Sequence, residues 1–247
     1  MKICFVAPNI YPIISNKNQI EKIGGAELQQ YFIGKGLRDN GFSVSIVTED
    51  YGQPDRENIE GLLIFKAYKR SEGIFGLRFF FPRLHKTWKA LKRADADIYF
   101  VRSDTFLLGI LAIFCKLYNK RLVFSAAHDK NFIPNEFRMK TKYRIVKIRD
   151  KYLFLYGLPR ADRIIVQSEY QKKLLWDNFK LPCQIIRNFS PEKPVRLKAE
   201  QRKYVLWVAT IRSWKRPIQF VNLAKALMAL SHCSLLTASP TSQLTFI

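Results

Sequence analysis

Residues 24–48, GGAELQQYFIGKGLRDNGFSVSIVT, join a helical pattern to a strand pattern and thereby decide the fold class. Apolar residues recur at helical spacing over residues 26–40, which predicts an amphipathic helix, and Gly41 is a typical helix stop. Residues 42–48 follow as a short run rich in Val and Ile, which predicts a buried strand. A helix that leads directly into a buried strand is typical of an α/β sheet.

The same alternation extends in both directions along the chain. Strand patterns are predicted at residues 2–7, 61–67, 97–101, 120–126, 163–167 and 184–187. Further helical patterns cover residues 75–94, 105–118, 138–158 and 169–179. Strands that alternate with helices pair in parallel through right-handed crossovers. The sequence therefore predicts an α/β fold with a doubly wound parallel sheet.

A change of composition near residue 189 predicts a second domain. Residues 189–203 contain two prolines and mixed charges, as expected of a linker. A strand pattern at 204–209 and a helical pattern at 217–230 then begin another βα unit. Residues 231–247 form an atypical tail that is rich in Ser and Thr and contains no Lys, Arg, Asp or Glu. We expect one domain over residues 1–188, a linker over 189–203, and the start of a second domain over 204–247.

The charge of the chain limits its possible partners. Lys and Arg number 42 against 20 Asp and Glu, a net charge of +22, which favours nucleic acid, an anionic membrane surface or phosphorylated substrates. No helix-turn-helix, OB or RRM signature is visible, so we expect no nucleic-acid partner. Residues 77–93 combine basic residues with three phenylalanines, which suits an anionic lipid surface. A core-facing aromatic cluster with a solvated basic face would give the same pattern.

Cysteine use and hydropathy indicate a cytoplasmic protein. Cys4 lies in a strand pattern and Cys115 in an apolar helical pattern, and no C-x-x-C spacing occurs. Scattered cysteines of this kind fit a reducing compartment. The strand pattern at residues 2–7 leaves no room for a signal peptide, and the apolar stretch 106–115 is too short to span a bilayer.

The first loop, residues 8–24, ends at the start of a helix as Gly24-Gly25-Ala26-Glu27. Two glycines let backbone amides approach a ligand closely, and a helix N-terminus favours a phosphate or a carboxylate. A plain turn before a helix would look the same. Neither G-x-G-x-x-G nor G-x-x-x-x-G-K-[ST] occurs here, which argues against a dinucleotide site or a P-loop.

Five segments, in order, resemble glycosyltransferase family 4. They are IGGAELQQYFIGKGLRDNGFSVSIVT (23–48), SAAHDK (125–130), ADRIIVQSEYQKKLL (161–175), IIRN (185–188) and YVLWVATIRSWKRPIQFVNLAKAL (204–227). The resemblance implies a GT-B fold with an acceptor-side N-terminal domain and a donor-side C-terminal domain. It further implies retaining transfer of a sugar from a nucleotide-sugar donor to a glycan or lipid-linked acceptor in cell-surface polysaccharide synthesis, without a metal or other cofactor.

The resemblance also implies roles for residues of the N-terminal domain. Gly24 and Gly25 would place backbone amides near the donor phosphates and the acceptor, and Glu27 would shape that loop. His128 would lie beside the transferred sugar, and Asp129 would orient the His128 loop. Ser168 precedes a predicted helix, and we interpret it as a helix cap rather than as a site residue.

On the donor side, Lys215 matches the lysine that the family uses to bind the diphosphate. A lysine at that position would stabilise the charge of the departing nucleotide. The family's Gly-Arg at the preceding strand end is Ala209-Thr210 here, and Arg212 is our candidate replacement for the arginine.

The family's E-x7-E carboxylate motif has no counterpart after residue 230. We therefore expect impaired transfer by this chain. The alternatives are a non-catalytic remnant that still binds an acceptor or a partner and, less favoured, a basic nucleic-acid-binding protein.

Overall fold

The computed structural model describes residues 1–15, 24–74, 77–102, 105–133, 144–188, 207 and 216–230. The chain divides into two compact units, Met1–Pro191 and Glu192–Ile247. In the second unit, helix α7 covers Pro217–Leu230, and the ring of Phe220 stacks on Trp207 with the centroids 5.9 Å apart. Of the predicted strand at 204–209 only Trp207 is described, and the predicted linker lies outside the described residues.

The first unit is built around one eight-stranded sheet. In chain order its strands are β1 (Lys2–Val6), β2 (Ser43–Thr48), β3 (Arg56–Ile59), β4 (Leu62–Lys66), β5 (Ile98–Arg102), β6 (Arg121–Ser125), β7 (Arg163–Val166) and β8 (Gln184–Ile185). Their order across the sheet is β3-β4-β2-β1-β5-β6-β7-β8, and every pair except β3–β4 is parallel. The α/β class with a doubly wound parallel sheet is therefore confirmed.

Helices cover both faces of the sheet. They are α1 (Tyr11–Ile14), α2 (Gly25–Asp39), α3 (His85–Ala94), α4 (Thr105–Leu117), α5 (Arg144–Gly157) and α6 (Glu169–Phe179). Alternate residues of β1 feed two apolar cores, since Ile3 and Phe5 pack with α1 while Cys4 and Val6 pack with α3 and α4. A central parallel strand is buried on both faces, which explains why its sequence is apolar throughout.

Two close approaches between helix backbones fix α4 against α5. A Cβ on Gly109 would lie 2.8 Å from the Cα of Leu153, and a Cβ on Gly157 would lie 2.7 Å from the carbonyl carbon of Leu108. Real Cβ atoms do not come so near to backbone atoms. Glycine is therefore required at both positions by the close packing of the two helices.

The structure differs from the sequence-based prediction over residues 75–94. Helix α3 begins at His85, and residues 79–84 form a π-helical segment in which Phe81 is extended, with φ −136° and ψ 125°. Phe81 precedes Pro82, and a proline disfavours helical geometry in the residue before it. The predicted single helix is thus divided by the Phe-Pro step.

The edge strand β3 was not predicted. It pairs antiparallel with β4 through the two-residue turn Glu60-Gly61, in which both residues have positive φ. Such turns match the twist of the strands that they join. Burial alternates only weakly along Arg56–Ile59, so its sequence lacks the apolar run that indicated the other strands.

Candidate functional site

The crevice at the carboxyl ends of β1 and β5 is the place where ligands bind in a sheet of this type. The chain leaves β1 towards β2 on one side, and it leaves β5 towards β6 on the other. The loops after these two neighbouring strands therefore diverge and open a crevice, the topological switch point. The loop after β6, which contains His128, opens at the same edge.

The predicted glycine turn forms the N-terminus of α2. Gly24 is the N-cap residue, and the carboxylate of Glu27 folds back over it, so that a Cβ on Gly24 would collide with Glu27. A Cβ on Gly25 would meet no atom within 4 Å, so this residue borders open space. The first amides of α2 have no partner within the helix, and such amides can receive an anion.

The His128–Asp129 segment begins a 3-10 turn over Asp129–Phe132. The backbone N–H of His128 donates to Asn131 Oδ1 at 3.3 Å, and the N–H of Asn131 donates to the His128 carbonyl at 3.2 Å. The side chains of His128 and Asp129 are exposed while Asn131 is buried. Asn131 thus holds the backbone of the turn and leaves His128 open to solvent.

A chain of hydrogen bonds runs from this turn across the ends of the strands. Gln171 Nε2 donates to Asp129 Oδ1 at 2.9 Å, and Gln171 Oε1 accepts from the backbone N–H of Gln167 at 2.8 Å. Asn188 Nδ2 donates to Gln167 Oε1 at 2.9 Å, and Arg102 Nη2 donates to Asn188 Oδ1 at 2.8 Å. We name these five residues the carboxyl-edge network; it couples the loop after β6 to β5, β7 and β8.

Arg102, the last residue of β5, is the functional candidate that the sequence analysis missed. It is 7% exposed, and its Nη1 also donates to Ser125 Oγ at 3.1 Å. Burial lowers the pKa of its guanidinium, and the nearby charge of Glu27 opposes that change. A basic residue directly after the apolar run DIYFV was the available signal.

Opposite charges meet at the ends of β2 and β4. Glu49, which is buried, forms an ion pair with Arg70 in which Oε2 and Nε lie 3.0 Å apart, and Arg70 also donates to Asn9 Oδ1 at 2.5 Å. Burial, with the charge of Glu49, raises the pKa of Tyr51. Arg70, in the loop after β4, is therefore joined to the end of β2 by an ion pair and to the loop after β1 by a hydrogen bond.

The structure brings most of the predicted N-terminal residues to one edge of the sheet. Asp129 reaches Arg102 through the carboxyl-edge network, and Glu27 acts on Arg102 electrostatically. Ser168 caps α6, because its Oγ accepts from the backbone N–H of Gln171 at 3.2 Å, which confirms our interpretation of it. Arg212 and Lys215 lie outside the described residues.

A groove on the other edge of the sheet is lined by none of the residues predicted for the site. A groove at the amino ends of the strands is lined by Lys2, Arg56, Arg93 and Asp95, on the edge opposite the crevice. Within the described ranges, no group of three His, Cys, Asp or Glu side chains could hold a metal ion. The expected independence from metal stays a prediction.

An exposed apolar patch lies before α3. Ile74, Leu77, Phe80 and Phe81 are each at least 64% exposed, and we name these four residues the apolar patch. The guanidinium of Arg149 stacks on Phe79, 3.7 Å from the ring centroid, so basic α5 adjoins this segment. None of the described helices is long and apolar enough to cross a membrane.

Comparison with known sequences identifies a family. The profile described as Glycosyltransferase Family 4 matches residues 23–190, more than half of the 247-residue chain. The match includes the α2 N-terminus, the 3-10 turn and every member of the carboxyl-edge network. No curated protein matches the chain.

Several solved structures resemble the chain. A sucrose-phosphate synthase from Thermosynechococcus elongatus is 17% identical with a TM-score of 0.51, and the alignment covers 76% of this chain and 47% of that one. A UDP-GlcNAc 2-epimerase from Methanocaldococcus jannaschii is 11% identical (TM-score 0.45, 72% and 43% covered). A putative UDP-N-acetylglucosamine 2-epimerase from Listeria monocytogenes is 12% identical (TM-score 0.47, 74% and 44% covered). The chain spans less than half the length of each, and the first likeness supports the GT-B fold.

Proposed function

Because the chain belongs to glycosyltransferase family 4, we propose that it takes part in transfer of a sugar from a nucleotide-sugar donor to a glycan or lipid-linked acceptor. The observation that carries the proposal is the match over residues 23–190, which includes the N-terminus of α2 and the His128 turn after β6. We further propose retention at the anomeric carbon and a role in cell-surface polysaccharide synthesis.

The proposed roles follow from where the side chains lie. The first amides of α2, which have no partner within the helix, suit a phosphate group, and open space beside Gly25 admits it. His128 is exposed at the carboxyl end of β6, where its ring can hydrogen-bond a sugar, and Asp129 holds that turn through Gln171. For Arg212 and Lys215 we propose contacts to the diphosphate, which would stabilise the charge of the leaving nucleotide.

A binding experiment tests the donor side of this proposal. The purified chain is mixed with UDP-, GDP- and ADP-sugars, and binding is followed by ligand-observed NMR. We expect selective binding of one nucleotide, weakened about tenfold or more by Lys215→Gln. His85→Ala is the matched control for His128→Ala, since both histidines are exposed and the ring of His85 lies beside Phe81, with the ring centroids 5.8 Å apart. A folded chain that binds none of the donors contradicts the proposal.

Measurement of sugar transfer tests the proposed retention and the expected impairment of activity. With the donor that binds, the product anomer is read by NMR, and inversion would contradict retention. We expect slow transfer by the 247-residue chain, and His128→Ala should lower it further while His85→Ala leaves it unchanged. Rapid transfer by the chain would contradict the expectation of impaired activity.

We also propose that the apolar patch contacts an anionic membrane surface, where a lipid-linked acceptor would lie. The four exposed apolar side chains of the patch could insert into the lipid surface. The basic residues of the neighbouring helices α3 and α5 would attract anionic headgroups. The chain should co-sediment with phosphatidylserine-rich liposomes at moderate salt. The double substitution Leu77→Ser and Phe81→Ser should abolish this co-sedimentation. Leu117→Ser, at an equally exposed leucine of α4, is the control. Equal sedimentation of all variants, or none by the original chain, contradicts the proposal.

The nucleic-acid alternative is supported by the net charge of +22 alone. It requires tight RNA or DNA binding with a steep salt dependence. We expect no such binding, and an electrophoretic mobility assay at two salt concentrations checks this.

A further inference from the structure

The buried guanidinium of Arg102 has no carboxylate partner among the residues that the structure describes. Arg102 forms none of the ion pairs found there, although its side chain is 7% exposed. A buried charge without a counter-ion is costly, because it loses hydration without gaining an opposite charge. Such a residue calls for an explanation beyond packing.

The described partners of Arg102 are neutral and leave much of its donor capacity unused. Ser125 Oγ and Asn188 Oδ1 accept one hydrogen bond each, from Nη1 and Nη2. A guanidinium has five N–H donors, so about three remain. Its Nε is buried and has no hydrogen-bond partner within the described part of the chain. Glu27 acts on Arg102 from beyond ion-pair distance and offsets part of the charge.

The position of Arg102 makes an anionic ligand the natural counter-ion. It ends β5, next to β1, at the switch point where the loops diverge. Arginine binds phosphoryl groups through several parallel N–H bonds. The hydrogen bonds that Arg102 donates to the neutral side chains of Ser125 and Asn188 hold the guanidinium plane in place without neutralising it.

We propose that Arg102 binds a phosphoryl group of the acceptor, which would make the acceptor a sugar phosphate or a phosphate-linked lipid. The inference rests on the proposed function, since it deepens the acceptor site of the same crevice. Through Asn188, Gln167 and Gln171, the bound phosphoryl group is also linked to Asp129. Occupation of Arg102 would thus steady the turn that carries His128.

The experiment is a ³¹P NMR titration of the full chain with glucose 6-phosphate and inorganic phosphate; glucose, which contains no phosphorus, is the neutral probe and is followed by ligand-observed ¹H NMR. We expect saturable binding of both phosphates, and at least tenfold weaker binding by Arg102→Gln. Arg121→Gln is the matched control, because Arg121 starts β6 at the opposite edge and is already paired with Asp162 at 2.6 Å. Its phosphate affinity should equal that of the original chain.

Asn188→Asp covers the case in which Arg102→Gln does not fold. It places a carboxylate 2.8 Å from Nη2, and this internal counter-ion should abolish phosphate binding. Unchanged phosphate affinity in either variant, or no binding by the original chain, overturns the inference.

A third arm separates an acceptor phosphate from the donor diphosphate. If UDP or GDP displaces glucose 6-phosphate competitively, Arg102 serves the donor diphosphate and the inference is overturned; independent binding supports an acceptor phosphate. Nucleotide-sugar binding without phosphate binding overturns this inference alone. Phosphate binding without any nucleotide-sugar binding overturns the proposed function instead.

Discussion

The carboxylate of Glu27 lies directly over the Cα of Gly24, the residue that caps its own helix. A methyl group at position 24 would occupy the space of Glu27 Oε2 and displace that carboxylate, although the backbone angles of Gly24, φ −83° and ψ 134°, admit a side chain. This contact explains the Gly-x-x-Glu spacing of the turn. It also fixes Glu27 near Arg102, whose charge it partly offsets.

Gly24→Ala should therefore destabilise the chain through Glu27. We expect a loss of about 1 kcal/mol in the free energy of unfolding, from the poorer N-cap and the displaced carboxylate. In a Glu27→Ala background the loss should shrink by about 0.5 kcal/mol, the coupling expected for two residues in contact. Urea unfolding of the single and double variants measures both. Gly25→Ala, which meets no atom within 4 Å, is the control and should not couple to Glu27.

Gly109→Ala and Gly157→Ala should each destabilise the contact between α4 and α5. In both, the added Cβ meets backbone atoms, which cannot rotate aside, and overpacking of this kind typically costs about 1–3 kcal/mol. Gly36→Ala is the matched control in the interior of α2, where a Cβ meets nothing within 4 Å. It should stabilise by about 0.5–1 kcal/mol. Thermal unfolding would contradict the packing argument if all three variants behaved alike.

Gln171→Glu should reveal the contact between Gln171 and Asp129. One oxygen of the carboxylate introduced at position 171 still accepts from the N–H of Gln167. The other oxygen faces Asp129 Oδ1 and has no donor there. Such an unsatisfied buried group costs about 1–3 kcal/mol at pH 7. The loss should diminish below about pH 5, because two carboxylates in contact raise the pKa of one of them.

Urea unfolding at pH 7 and pH 4.5 checks this, and Asp129→Asn should restore stability in the same background. Lys172→Glu adds a carboxylate at the exposed neighbouring position and should show neither effect. A pH-independent loss for Gln171→Glu would mean that the two side chains are not in contact.

The phenol of Tyr11 should make stability fall at high pH. Burial raises the pKa of Tyr11 from 10.0 to about 12, and the carboxylate of Glu57, which accepts from its hydroxyl at 2.9 Å, adds to the effect. A raised pKa means that the folded state holds the proton more tightly, so the stabilisation is complete below pH 10 and is lost between about pH 10 and 12.

Tyr11→Phe removes this titration. Its free energy of unfolding should depend less steeply on pH between 10 and 11 than that of the original chain, as measured by urea unfolding. Tyr170→Phe, at an exposed tyrosine of α6, is the control and should leave the slope unchanged. Identical slopes for all three proteins would show that Tyr11 does not contribute.

The sequence by itself determined the alternation of strands and helices, the parallel sheet and the α2 turn, because these follow from local periodicity and helix-end signals. It also indicated Ser168 as a cap. It did not indicate β3, whose turn depends on the positive φ of Glu60 and Gly61 and whose strand is polar. The break at Phe81 was readable from Pro82, but the helical periodicity outweighed it in our prediction.

The tertiary structure alone decided the carboxyl-edge network and the burial of Arg102. Arg102 and Asn188 are 86 residues apart in the chain, and Gln171 and Asp129 are 42 apart. Such pairs meet only because the strand order places the ends of β5, β6, β7 and β8 side by side. Local patterns fix which segments become strands; the order in which strands pair fixes which side chains share a site.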